Sequence, residues 1–591
     1  MKNRNGFTLI ESLIAIAIFA VIGTAIYYSY SNILDVVLRA RLRYSMIAVA
    51  ENEIEIARNI PYPDVGLQSG APSGNIIPQK VLNYKGASFV VKTTVRNVDD
   101  SFDGVLGGNP ADVIPADYKL IEVEVSCFNI CSVNPIILTT TIAPVNIEKQ
   151  TKKGSLFITV FNASGEPLNG ANVSIVNNSV VPPININDTT NVSGSLNFVE
   201  IATSSAGDRI TATKNGYSQE RTYPAGDPSN PNPVDPDPVI QEEETSRVSF
   251  AIDQVSSLTL KTQDQMCQAV PAIDFQQTSE KLIGTNPDIP KYSVSGQTDA
   301  NGQKTVNNLE WDTYTFNNLN SVYEVSGVTP PGPFTVLPAT NSTLTWTMEK
   351  KLSKSMLVNV IDEDEVPVND AIVRLTGPGG YDKTRYSGRR FLNQTDWSAG
   401  QYNSKTANLE TDNIPGEINV KFINGKYATS SEELISSTFD FGASDAVFYN
   451  LSWDPTSQPP QTGAGSFKLQ IAANDDNSTW NFVGPNGNSN TFYTTNGTQI
   501  HASHNGKKYL RYKIFMHTDN DQFTPRLADL SMEFASSCVP VGQVFFSGLS
   551  SLKEITFSES WFMILSLSSS LMILPLLMMQ TLSASCSASS M

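Results

Sequence analysis

The chain has 591 residues, of which 17% are charged, and a formal net charge of −18. That balance lacks the basic footprint of a nucleic-acid-binding protein, and the length allows about four domains at roughly 150 residues each. The five cysteines are too few and too scattered for a disulfide scaffold. Only Cys127 and Cys131 stand close together, so a four-cysteine zinc site is excluded for want of a second close pair.

Lys2 and Arg4 form a short basic leader that stops at Gly6. About twenty apolar residues follow, the length that crosses a bilayer as a helix. Glu11 lies inside that run, where an ionisable group costs roughly 2.5 kcal/mol or more and asks for a partner. Gly6-Phe7-Thr8-Leu9-Ile10-Glu11 resembles the N-terminus of type IV pilins and type II secretion pseudopilins. The resemblance implies that a prepilin peptidase cuts between Gly6 and Phe7 and that Phe7 is then N-methylated. It implies that Glu11 pairs with the terminal amine of a neighbouring subunit during assembly, which supplies the missing partner. It further implies a single-pass protein of the cell membrane whose head is exported, reaching a pilus or the cell surface after processing. An ordinary secretory signal has an uncharged apolar core and a small-residue cleavage site after it. Here the acid is inside the run and the small residue precedes it.

The apolar pattern continues beyond the membrane edge. Ile33, Val37, Ala40, Tyr44, Ile47, Ile54 and Ala57 recur at the spacing of one helix face, and Pro61 and Pro63 forbid continuation. Residues 7 to about 59 therefore read as one helix of ~80 Å at 1.5 Å per residue. Residues 1–6 are the leader, 7–30 the membrane part and 31–60 the amphipathic part. A head follows over 61–147, with alternating strands at Ala87–Val95, Tyr118–Val125 and Ile136–Ile142. The fold class is an α+β pilin-like lollipop followed by tandem all-β sandwiches. In the head, Asp99, Asp100 and Asp103 surround a turn. Hard oxygen ligands suit calcium, and Asp equally suits turn geometry by itself. Cys127 and Cys131 read either as a small disulfide loop in an oxidising space or as two reduced thiols.

After Pro144 strands become short and are separated by Gly, Pro, Asn and Asp. Phe157–Val173 reads strand, turn, Pro-anchored bend, strand, and ends downstream at Gly216-Tyr217. This order resembles the carboxypeptidase-regulatory-like (transthyretin-like) β-sandwich. It recurs with a constant offset: Val160 and Val360, Pro167 and Pro367, Ala171 and Ala371, Val173 and Val373. The ending appears to the eye again at Gly416–Tyr427, and a divergent copy begins at Leu258. The expected boundaries are a first copy at 154–223, a Pro-rich linker at 224–245 that is extended and semi-rigid, a second copy at 246–350, a third at 353–455 and a linker at 456–465. Residues 466–536 resemble a discoidin- or lectin-like jelly roll, which makes Trp480, Tyr493 and Tyr509 candidates for glycan binding. Burial in a sandwich is the commoner fate of such aromatics. His501, His504 and His517 fall in the same segment without a carboxylate pair or cysteine to complete a metal site. The stretch 537–591 reads as an irregular tail, the product of a reading-frame shift near Ser551.

No Gly-x-Ser-x-Gly elbow, His-Glu-x-x-His motif or phosphate-cradling Gly loop is present. The expectation is a non-enzymatic subunit, a minor pilin or pseudopilin, that assembles through its helix and displays β modules to a surface glycan or protein. A membrane-anchored protein that never polymerises is the alternative, and a tethered glycan-active enzyme a more distant one.

Overall fold

In the computed structural model, which describes residues 9–102, 104, 116–128, 133–144, 153–205, 207–352, 354–377, 381–549, 554–557, 562–567 and 570–571, Leu9–Arg58 form one helix. The chain divides into two compact units, Met1–Val255 with Leu282–Ile289, and Ser256–Lys281 with Pro290–Met591.

In the first unit, four strands follow the helix as an antiparallel meander: Gln79–Tyr84, Ala87–Val98, Tyr118–Cys127 and Ile136–Ile142. The helix buries Met46, Val49, Ala50, Ile54 and Ala57 against Phe89, Val91, Val95, Ile121, Val123 and Val125. This is a different phase from the face that the sequence suggests. Ile33, Val37 and Tyr44 are exposed, and the buried row starts near Leu42. Apolar residues lie on more than one side of this helix, so spacing alone does not select the side the head covers. Lys80 reaches Glu53 at 2.7 Å and Arg58 donates to Thr140 at 2.9 Å, which pin the helix to both outer strands of the sheet.

The first sandwich pairs a three-stranded sheet, Thr245–Ala251, Gly154–Phe161 and Ser195–Ile201, with a four-stranded one. Its core takes in Ala71 from the head. Arg96 holds Asp188 through two nitrogens, and Asn97 donates to the Val199 carbonyl at 2.8 Å. The Pro-rich stretch is not an extended spacer. It doubles back, with Gly226 donating to Pro231 and Asp237 to Tyr223, and Val234 and Asn230 both donate to the Ile283 carbonyl. Enough backbone groups are free between the prolines to make these bonds.

The second unit holds the second and third sandwiches. All three sandwiches share one device. Asn162, Asp264 and Asp362 each accept two backbone N–H groups with one side-chain oxygen and turn the chain after the first strand. Three residues later Gly165, Cys267 and Glu365 all have positive φ. The carbonyls of Gly194, Gly302 and Gly542 then accept from Val160, Thr262 and Val360 at 2.7–2.8 Å. At each of these glycines φ is +66 to +67°, and a Cβ would stand 2.3–2.7 Å from the carbonyl oxygen of the same strand.

These equivalences redraw the expected boundaries. In the third sandwich Ser387 takes the place of Thr190: both hydroxyls accept from the alanine of the second strand and donate to a carbonyl at 2.6 Å. In the first sandwich Gly194 comes four residues after Thr190, but Gly542 returns only after a whole domain. Strands from Arg390–Gln394 to Asp529–Ala535 build that domain around one core, which includes Trp397, Leu451, Tyr493 and Tyr512. Residues 353–455 are therefore not one sandwich, and Gly416–Tyr427 closes nothing in it; those strands belong to the insert. The expected linker at 456–465 is a crossover inside the insert, where Thr462 is buried and Gln458 exchanges two hydrogen bonds with Arg526. The third sandwich is completed from beyond the insert. Gln543–Leu549 and Phe562–Leu567 flank Lys354–Ile361, and Glu554–Phe557 pairs with Ile372–Gly377. Phe562–Leu567 runs antiparallel to that first strand, whereas the last strands of the first two sandwiches run parallel to theirs. Residues 572–591 lie outside the described residues.

Candidate functional site

From Leu9 to Leu38 the described side chains of the helix are exposed nearly throughout, and most are apolar, from Leu9 (83%) to Phe19 (78%) and Leu38 (57%). A continuous apolar surface of this size marks a membrane or partner site. The helix is long and apolar enough to cross a bilayer. Glu11 lies in its first turn and is exposed. Ionic pairing begins with Asp35 and Arg39, one turn apart and both about half exposed. Thus the first half of the helix has nothing of its own chain to pack on, and the second half is seated on the head.

A family model described as the prokaryotic N-terminal methylation motif matches residues 1–27. The chain carries a prepilin-type N-terminus. Gly6 and Phe7, the expected processing residues of this prepilin-type chain, lie outside the described residues. No curated protein matches it. Among solved structures it is similar to the Bacillus anthracis TIE protein, at 13% identity over 46% of this chain and 53% of that one, with a TM-score of 0.15. The chain thus spans about half the length of that protein. It is similar to a streptococcal ancillary pilin at 11% identity over 38% and 75% of the two chains, TM-score 0.18. It is also similar to a minor pilin of the gram-positive pathogen Streptococcus agalactiae at 12% identity over 34% and 97%, TM-score 0.17. Scores this low carry no argument about this chain.

The other candidate residues are distributed as follows. Asp100 caps its own turn by accepting from Phe102 and bonds through its backbone to Asp117; Asp103 lies outside the described residues. Among the described residues no three His, Cys, Asp or Glu side chains gather as metal ligands. Cys127 is disulfide-bonded, and Cys131 lies outside the described residues. Tyr493 is fully buried and its hydroxyl accepts from the His501 backbone, so it is a core residue and not a binding aromatic. Trp480 is half-buried with the Arg511 guanidinium 4.4 Å from its ring centroid, and Tyr509 is half-buried on a strand. His501 bonds Ser503 and caps a short 3-10 turn. His504 is buried, and His517 stands 3.8 Å from Asp519.

Two features escape the sequence. One is the disulfide between Cys267 and Cys538, 271 residues apart. The other is a buried polar seam where the insert leaves and re-enters the third sandwich. There Arg390 donates to the carbonyls of Gln543 and Ser326 at 3.1 and 2.8 Å, and Gln543 exchanges two hydrogen bonds with the Val328 backbone. Arg389 lies between Asp370 and Glu533, over the Tyr449 ring. Neither signal is local in sequence.

Proposed function

We propose that the chain is a non-enzymatic prepilin-type surface subunit, a minor pilin or pseudopilin, that assembles through its N-terminal helix and displays β modules for adhesion or partner binding. The observation that carries this reading is the methylation motif at the head of a helix whose first half is apolar and uncovered. A prepilin peptidase releases the leader after Gly6, Phe7 becomes the methylated N-terminus, and Glu11 receives the amine of a neighbouring subunit. Pairing relieves the cost of a carboxylate in an apolar helix bundle. The modules follow the carboxypeptidase-regulatory-like pattern and serve as scaffold, with Trp480 and Tyr509 of the insert offered to a glycan or protein. The Cys267–Cys538 disulfide fits an exported body, because such bonds persist in oxidising compartments.

The mature N-terminus tests the reading. Mass spectrometry of the processed protein is expected to find methylated Phe7; a chain that still starts at Met1, or starts after the apolar run, overturns it. The alternative, an anchored protein that does not polymerise, shares the same span. Glu11→Val distinguishes them, because it is expected to abolish incorporation into filaments while membrane insertion persists.

A further inference from the structure

We propose that the Cys267–Cys538 disulfide is a load bypass that keeps the inserted domain folded when the chain is pulled from its two ends. The argument rests on where the bond falls along the chain, and it stands whether or not the protein enters a filament. Cys267 sits in the turn that follows the first strand of the second sandwich, Ser256–Gln263. Cys538 lies between the last strand of the insert, Asp529–Ala535, and the strand Gln543–Leu549 that re-enters the third sandwich. Tension applied outside these two residues therefore passes through the sulfur–sulfur bond. Residues 268–537 carry none of it, and they include the rest of the second sandwich, the first three strands of the third, and the whole insert.

The surroundings are built for that bond. Asp264 shapes the turn by accepting from Met266 and Gln268, and Cys267 takes the positive φ that Gly165 takes in the first sandwich. The turn docks on the insert: Gln265 donates to Phe391, Gln268 to Asp440, and Met266 packs against the insert's core. Opposite, Gly442 leaves room for the cysteine, since a Cβ there would stand 2.5 Å from the Cys267 Cβ. On the other side Val539 is buried in the same core. Non-covalent seams also join entry to exit, but hydrogen bonds and ion pairs yield under load and a covalent bond of this kind holds. What stays in the path is the strand Ser256–Gln263, which lies between two neighbours in its sheet, and the strands after Gln543.

Single-molecule stretching of the full chain in detergent micelles, with ligated peptide handles at its two ends, tests this. Each molecule is unfolded oxidised, relaxed, treated with reductant and unfolded again. The 271 residues between the cysteines, at ~3.5 Å per extended residue, predict ~950 Å of contour length that appears only after reduction. Cys267→Ser with Cys538→Ser is expected to release it without reductant. The same total length before and after reduction overturns the proposal, as does release of the insert's length while the bond is intact. The before-and-after comparison on one molecule needs no variant, so misfolding of the double-serine chain leaves the test standing.

Discussion

Gly542 stands in the third sandwich where Gly194 stands in the first. Their carbonyls accept from Val360 and Val160 at 2.7 and 2.8 Å, at φ of +67° and +66°. One hairpin of the repeat is thereby closed in two ways, by a short turn in the first copy and by an entire domain in the third. A sandwich tolerates this because the ends of that turn lie side by side, so an inserted body with adjacent termini adds little loop-closure cost.

Gly194→Ala is expected to destabilise the first sandwich by more than Gly165→Ala does. Both glycines have positive φ, which costs a residue with a Cβ about 1–2 kcal/mol. At Gly165 nothing lies within 4 Å of the added carbon, whereas at Gly194 it meets the Val160 carbonyl at 2.4 Å and the Leu168 nitrogen at 2.8 Å. The clash breaks the closure of the hairpin and is expected to at least double the cost. Hydrogen exchange over residues 154–201 reads the two variants separately from the rest of the chain; equal protection in both would count against the argument.

What the sequence reveals and what it hides divide along the distance between partners. The methylation motif, the helix and the turn residues around Pro167 and Pro367 are local, and a few residues carry each signal. The close of the third sandwich is not local, because Ser387 and Gly542 are separated by the insert, and Gly416–Tyr427 imitates the missing ending with a hairpin of similar residues. The pairing of Cys267 with Cys538 has no spacing signal at all. Burial decides between Tyr493 and Trp480, and aromatic residues in alternating segments look alike until the facing sheet is known.

Truncating those two aromatics is expected to give opposite outcomes. Tyr493 is enclosed in the insert's core and bonded to His501, so Tyr493→Ala leaves a cavity and costs about 3–5 kcal/mol. Trp480 is half-buried against Arg511, so Trp480→Ala costs about 1 kcal/mol, the scale of an exposed cation–π contact, and leaves the fold intact. Calorimetry of the insert's transition compares them. Only Trp480→Ala then permits a clean assay of glycan or protein binding.

Acid is expected to weaken the insert through His504. Burial, with a smaller contribution from nearby His501, pushes its imidazole down from 6.5 to about 4, and among the described residues no hydrogen bond reaches its Nε2. Above pH 6.5 the ring is neutral in both folded and unfolded chains, and nothing is lost. Between about 6.5 and 4 the unfolded chain takes up a proton that the folded one refuses, so stability falls by up to roughly 3 kcal/mol at 1.36 kcal/mol per unit. Below about 4 both forms are protonated and this contribution is flat. His504→Phe is expected to flatten the pH dependence of the insert's melting temperature across that window; an unchanged slope would remove His504 as its source.

Arg390 is expected to be the costliest single side chain at the seam between the insert and its host. It is buried, with its guanidinium held by the carbonyls of Gln543 and Ser326. Burial pushes its pKa down, and the Glu349 carboxylate offsets part of that. Arg390→Met keeps much of the volume but leaves two buried carbonyls without a donor, at about 1–3 kcal/mol each. Arg390→Lys keeps the charge but not the planar fork that reaches both carbonyls, so it is expected to recover only part of the loss. The readout is proteolytic cleavage between the insert and the third sandwich with the disulfide oxidised. Arg390→Met is expected to be cut fastest and Arg390→Lys at an intermediate rate, whereas equal rates for all three chains would mean that the seam is held elsewhere.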